Sequence, residues 1–203
     1  MKKVLITLLL ASTALSATVI GASAAGVTHT VVKGDSLWKI AVKYEVGLSE
    51  IKGANLGIKN PNLIYPGDII AIPTRDEVVS SYEEEVIRLV NEHRKNNGLS
   101  ALGADWQLSR VARYKSEDMR DKKYFSHTSP TYGTPFQMMK SFGISYKSAG
   151  ENIAKGQKTP KAVVDAWMNS SGHRANILNP AFTHIGVGYA KDGNYWTQMF
   201  ISK

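Results

Sequence analysis

The chain has 203 residues, contains no cysteine and carries a formal net charge of +8. Without cysteine, a disulfide framework, a cysteine-ligated metal and thiol lipidation are all excluded, so stability must come from packed cores. The lysines and arginines form no dense run, which argues against a nucleic-acid-binding protein. The basic excess favours attraction to acidic polymers or, equally, a solubilising surface charge of ordinary size.

The first 24 residues have the three parts of a secretory signal peptide. Lys2 and Lys3 form a basic start, an apolar run extends from Val4 to about Leu15, and small residues follow at Ala22–Ala24. Polar residues interrupt the apolar run and no basic cluster follows it, which argues against a membrane anchor. We expect residues 1–24 to be removed on secretion, and no stable membrane insertion afterwards.

Residues 28–74 predict a small domain. Ser36 has the position and chemistry of a helix cap, and a later short helix is predicted with Ile51 and Leu56 facing inward. The predicted elements are a strand over Thr28–Lys33, a helix from Ser36, a helix after Gly47 and a strand over Asp68–Ile72.

Residues 75–81 are polar and aperiodic, and they predict a short linker to a second domain over residues 82–203. The second domain is predicted to be mixed α and β, with helices on both faces of a small sheet. Lys115 falls on the inward face of one helix, beside apolar residues. The predicted elements are helices over 82–96, 107–122, 135–142 and from Thr159, a central strand over Gly150–Ala154, and a hairpin of strands over 184–190 and 195–202.

Two stretches of the first domain, Val31–Ile40 and Asn60–Pro73, resemble the LysM family. The resemblance implies a βααβ domain that binds N-acetylglucosamine polymers such as peptidoglycan in a groove between two loops. Turns bounded by glycine and proline, with apolar side chains beside them, suit a shallow sugar site. Taken one by one, the same residues also suit turn or core positions. The candidate carbohydrate-binding residues are Gly34, Asp35, Ser36, Leu37, Asn62, Leu63 and Ile64.

The second domain resembles the CAP (SCP-like) superfamily through five stretches in the family's order. The resemblance implies an α-β-α sandwich with a surface cavity, so the whole mature chain is expected to be α+β. The five stretches are Leu89–Arg94 with Gly98–Leu99, Tyr124–Pro130, Gly150–Ala154, Ala166–Leu178 and Tyr195–Phe200.

In many CAP proteins, the resemblance implies, two histidines and two acids line the cavity and can hold a divalent metal, typically zinc. Here His127 and Glu151 match one of each, while Ser170 and Tyr195 stand at the other two positions. Protonated hydroxyl groups are poor zinc ligands at neutral pH. We expect no cofactor, with weak divalent metal binding at most, and we interpret His173 as a structural helix-end residue rather than a ligand.

The His127 and Glu151 pair permits two interpretations. A carboxylate that raises the pKa of a histidine and fixes its tautomer suits a general base, and Ser170 could complete a catalytic set. A satisfied polar network that organises the fold uses the same residues. The sequence around Ser170 has no nucleophile-elbow pattern.

We therefore expect a secreted binding protein of the cell wall, with peptidoglycan as its partner, wall teichoic acid as a second candidate and no nucleic acid. The CAP domain is expected to present its cavity to a ligand rather than to act as an enzyme. Two alternatives stay open: a hydrolase that uses His127 and Glu151, and a structural component of a spore or cell envelope.

Overall fold

The computed structural model describes residues 26–74 and 76–203, so the predicted signal peptide lies outside the described residues. The order of elements is mixed α and β, as predicted. The bounds are β1 Thr28–Thr30, α1 Leu37–Lys43, α2 Leu48–Ala54, β2 Ile69–Ala71, α3 Glu77–Asn96, β3 Gly103–Ala104, α4 Trp106–Asp121, α5 Pro135–Ser141, β4 Ser148–Lys155, α6 Pro160–Asn169, α7 Ser171–Ile177, β5 His184–Ala190 and β6 Tyr195–Ser202.

The first domain has the predicted strand, helix, helix, strand order. Strands β1 and β2 pair antiparallel, with His29 opposite Ile70. The Ser36 hydroxyl accepts a hydrogen bond from the Lys39 amide at 3.2 Å and caps α1 as predicted. Ile40, Ile70 and neighbouring apolar residues form a buried core between the helices and the two strands.

Asn55 joins α2 to β2 in the first domain. Its side-chain nitrogen donates to the carbonyls of Ile51 at 2.7 Å and Ala71 at 2.8 Å, and its side-chain oxygen accepts from the Ala71 amide at 2.8 Å. Because β2 has only three residues, these bonds at Ala71 are a large addition to the hydrogen bonds that it forms with β1.

The prediction that Leu56 faces inward is wrong. The helix α2 ends at Ala54, so helical spacing no longer determines where Leu56 points, and its side chain is 87% exposed.

The second domain is a four-stranded sheet between two layers of helices. The strand order is β3-β5-β6-β4, antiparallel except for the β3–β5 pair. Leu108 of α4 and Met138 of α5 belong to the core on one face of the sheet. Val90 of α3 and Trp167 of α6 belong to the core on the other face. The α-β-α sandwich therefore has the predicted arrangement.

The strand predicted to be central is at the edge of the sheet. Strand β4 pairs with β6 alone, yet its residues from Gly150 to Ala154 are buried because helices contact both of its faces. Burial on both faces produces the same apolar pattern in an edge strand as in a central one.

The predicted linker is shorter than expected because α3 begins at Glu77 rather than at Tyr82. The Asp76 side chain accepts a hydrogen bond from the Val79 amide at 3.2 Å, so it caps the helix. Because Asp76 caps the helix, the polar residues that follow it belong to α3 rather than to the linker. Among the helices of the described residues, none is both long and apolar enough to cross a membrane.

Candidate functional site

His127 and Glu151 meet in the second domain, as the resemblance implied. Nδ1 of His127 donates to Oε1 of Glu151 at 2.7 Å. The His127 side chain is 54% exposed, whereas that of Glu151 is 1% exposed. The second carboxylate oxygen, Oε2, is buried and has no hydrogen-bond partner among the described residues. The pair is therefore not a fully satisfied network, because one buried acceptor stays open.

The two groups shift each other's protonation. The hydrogen bond to Glu151 raises the pKa of His127, although burial acts in the opposite direction. Burial raises the pKa of the Glu151 carboxyl, despite the hydrogen bond from His127 that lowers it. Glu151 lies on β4, whereas His127 lies in the connection between α4 and α5. The site thus depends on how that connection is held.

Lys115, which is fully buried on α4, holds the connection that carries His127. Its ammonium group donates to the carbonyls of Ser126 at 2.7 Å and His127 at 2.8 Å, and to the Tyr124 hydroxyl at 3.2 Å. Burial lowers the pKa of Lys115, while the negative charge of Glu151 acts against that change. All three ammonium protons therefore have partners.

One turn further along α4, Asp118 holds the same connection. Its carboxylate accepts from the hydroxyls of Tyr124 at 2.6 Å, Ser129 at 2.7 Å and Thr131. The spacing of Lys115 and Asp118 places both on one face of α4. This pair was not singled out from the sequence as part of the site, although Lys115 was placed on the inward face of the helix.

The other cavity positions do not join the pair. Ser170 lies between α6 and α7, and Tyr195 is buried beside Met119 and Ile153. Within residues 26–74 and 76–203, neither side chain makes a hydrogen bond to His127 or Glu151.

His173 lies near enough to His127 for their charges to interact. Burial lowers the pKa of His173, and the positive charge of His127 lowers it further. Its carbonyl accepts a hydrogen bond from Asn152 on β4, at 3.1 Å. This contact involves the His173 backbone, so the structural interpretation of its side chain stays a prediction.

The donor groups do not fit a zinc site. His127 and Glu151 supply one imidazole and one carboxylate, and no group of three histidine or acidic side chains able to hold a metal occurs in the described part of the chain. Structural and catalytic zinc sites use three or four such donors. The hydroxyl groups at positions 170 and 195 do not make up the difference.

The two loops with predicted carbohydrate-binding residues are joined at their base in the first domain. The Val31 amide donates to the Asp68 carbonyl at 2.8 Å, and the Gly67 amide donates to the Val31 carbonyl at 2.9 Å. These bonds place the segment that follows Val31 beside the segment that precedes Gly67. The predicted residues 34–37 and 62–64 belong to these two segments.

Hydrogen bonds brace the first of these loops. The Asp35 carboxylate accepts from His29 Nε2 at 2.8 Å and from the Val32 amide at 2.9 Å, and the Lys39 ammonium donates to the Gly34 carbonyl at 2.6 Å. His29 was not predicted from the sequence. The bracing fixes the backbone groups of the loop before any ligand binds.

Two of the seven predicted residues serve the core instead. Leu37 is buried in the core of the first domain, and Ile64 is half-buried against it. Leu37 is the first residue of α1 and its side chain faces the core, so a sugar contact at this position would use its backbone.

Exposed apolar side chains are concentrated in the first domain. Trp38, Leu63 and Tyr65 are each about half-exposed, and so is Val32, which precedes the first loop. Trp38 was not among the predicted carbohydrate-binding residues, because it follows the loop in which the groove was expected. A tryptophan on the outward face of a short amphipathic helix indicates a candidate ligand-binding surface.

Family models match both domains. The model of the cysteine-rich secretory protein family, CAP, matches residues 87–201, and the LysM domain model matches residues 29–73. The first match covers more than half of the chain.

Individual proteins resemble parts of the chain. The uncharacterized protein YkwD of Bacillus subtilis is 67% identical over 125 residues, which are 62% of this chain and 49% of YkwD. SpoIVD-associated factor A of Bacillus subtilis is 54% identical over 46 residues, 23% of this chain and 12% of that protein.

Among solved structures, an extracellular protein containing an SCP domain from Bacillus anthracis has 34% sequence identity and a TM-score of 0.61. The match covers 68% of this chain and 47% of that one. This chain therefore spans about half the length of YkwD and of the Bacillus anthracis protein. It belongs to the cysteine-rich secretory protein family, and a LysM domain precedes its CAP domain.

Proposed function

We propose that this protein is a secreted, wall-associated binding protein whose LysM domain binds peptidoglycan-type glycans. The observation that carries the proposal is the set of exposed apolar side chains next to two braced loops. N-acetylglucosamine offers apolar ring faces and an acetamido methyl group beside polar groups. Trp38, Leu63 and Tyr65 supply apolar surface, and the loop backbones supply donors and acceptors.

In this proposal the CAP domain binds a second, polar ligand. The buried Oε2 of Glu151 lacks a donor, and an unpaired buried acceptor costs about 1–3 kcal/mol. A hydroxyl, amide or ammonium group of a ligand would satisfy it. His127, half-exposed beside it, supplies a second polar contact.

A specific observation supports a hydrolase as the second candidate. A histidine oriented by a carboxylate, with its other ring nitrogen free of partners among the described residues, is the arrangement of a general base. Ser170 is not bonded to this pair in the described structure, so the base would act on water. The binding role is favoured because the unpaired buried Oε2 of Glu151 points to a ligand with a hydrogen-bond donor.

The proposed location is the cell wall or, as the alternative, a spore layer. A stretch of 47 residues is 49% identical to the spore coat assembly protein ExsA of Bacillus cereus, 23% of this chain and 7% of that protein, which supports the spore layer. Removal of Lys2 and Lys3 with the predicted signal peptide lowers the net charge from +8 to +6, and this positive charge supports additional attraction to the phosphates of wall teichoic acid.

Sedimentation with purified sacculi tests the proposal. The parent chain should pellet with the sacculi, Leu63→Ala should pellet less, and Leu56→Ala, which changes another exposed leucine, should match the parent. Muropeptides should not appear in the supernatant. A parent chain that stays in solution would refute the wall-binding role. Muropeptide release that disappears in His127→Gln would establish the hydrolase instead.

A further inference from the structure

A side chain of the CAP domain reaches into the LysM domain. Arg110 lies on α4, and its Nε donates to Glu50 Oε1 at 2.6 Å while its Nη2 donates to Glu50 Oε2 at 2.9 Å. The same Nη2 donates to the Ser49 hydroxyl at 2.8 Å. Two parallel bonds between a guanidinium and a carboxylate fix direction as well as distance.

Two aromatic rings of the CAP domain pack against this guanidinium group. Arg110 lies over the rings of Tyr114 at 5.2 Å and Phe142 at 5.3 Å, within the range of cation–π contact. The side chains of Arg110 and Glu50 are 18% and 29% exposed, so solvent screens them less than a surface pair. Burial raises the pKa of Glu50, but hydrogen bonds from Arg110, Ser49 and Tyr114 outweigh it and lower the pKa to about 2.

In the LysM domain, the missing side chain of Gly47 leaves a space, here called the slot, for the guanidinium group. A Cβ atom added to Gly47 would collide with Arg110 Nε and with the Glu50 carboxylate. Gly47 has a φ of −75°, which any residue adopts, so its backbone conformation does not require glycine. The space left by the missing side chain is filled by the guanidinium group.

We infer that the Glu50–Arg110 pair is a clamp that holds the LysM domain in one orientation on the CAP domain. Beside the clamp, a cleft of about 470 Å³ lies between the two domains and is lined in part by Pro73 and Arg113. In the described structure none of the seven predicted carbohydrate-binding residues lines this cleft. The clamp therefore fixes the orientation of the two domains without using the predicted glycan loops.

Distance measurement between two spin labels tests the clamp in the full chain. Because the chain has no cysteine, Leu56→Cys in the LysM domain and Lys158→Cys in the CAP domain give two unique, exposed labelling sites. The parent should show one narrow distance distribution by double electron–electron resonance. Arg110→Glu and Glu50→Arg should each lose the narrow peak, and the two changes combined should restore it.

Arg88→Glu is the control, because Arg88 forms an exposed ion pair within α3 and should leave the narrow peak unchanged. Gly47→Ala closes the slot without changing a charge, and it should also broaden the distribution. Circular dichroism confirms that each variant is folded. A broad distribution in the parent, or a narrow one that persists in Gly47→Ala and both single charge variants, would overturn the clamp. Neither result depends on wall binding.

Discussion

Replacing Lys115 with methionine tests whether Lys115 holds the segment that carries His127 in place. Methionine keeps an unbranched chain of similar length but cannot donate a hydrogen bond. The change leaves the carbonyls of Ser126 and His127 without their donor in a partly buried setting. It also removes a positive charge that acts on Glu151.

The magnitude follows from these losses. A carbonyl without its donor costs at most about 1–3 kcal/mol, less where water reaches it, and removing one partner of a buried charge arrangement typically costs about 3–5 kcal/mol. Part of this loss in free energy is offset, because folding of the methionine variant no longer removes an ammonium group from water. We expect the free energy of unfolding of the CAP domain to fall by about 2–5 kcal/mol.

Urea unfolding followed by circular dichroism measures this loss, and amide hydrogen exchange over residues 124–132 measures release of the connection. Lys122→Met is the matched control, because Lys122 is exposed at the end of the same helix and should change stability by less than about 0.5 kcal/mol. A loss below about 1 kcal/mol in Lys115→Met, with unchanged exchange, would refute the role assigned to Lys115.

Three further predictions concern single residues. Because the folded pKa of His127 is raised above 6.5, its contribution to stability is complete below pH 6.5 and lost as pH rises through the folded pKa. The difference in unfolding free energy between parent and His127→Gln should therefore shrink with rising pH, and growth of that difference would contradict the pairing. Gly188→Ala should cost about 1–3 kcal/mol because its Cβ would collide with the backbone of α4, whereas Gly172→Ala has open space; equal melting temperatures would contradict this. Asn55→Ala should cost the LysM domain about 1–3 kcal/mol and speed amide exchange in β2, and unchanged exchange would show that β2 does not depend on Asn55.

The types of most elements could be predicted from the sequence because periodicity records which face of an element is buried. The order of the strands in the sheet was harder to predict from the sequence. Strand β4 has the burial pattern of a central strand but lies at the edge of the sheet, since helices cover both of its faces. The helix α7 was not predicted as a separate element, because the break at Ser170 lacks a side-chain capping bond.

The site was predicted in part. The pairing of His127 with Glu151 followed from the family resemblance, and the distance of 2.7 Å confirms it. The contacts of Lys115, and the pairing of Glu50 with Arg110, join residues far apart in the chain, so local patterns give no sign of them. Whether the pair is catalytic and which loop residues touch glycan stay predictions.

In the proposed function the LysM domain alone holds the glycan, while the His127–Glu151 site stays available to another ligand. Titration of the isotopically labelled full chain with a soluble peptidoglycan glycan fragment, followed by heteronuclear NMR, separates the two sites. We expect chemical-shift changes at residues 34–37 and 62–64 and at Trp38, with the signals of His127 and Glu151 unchanged. Changes confined to His127, Glu151 and their neighbours, or no changes at all, would contradict it.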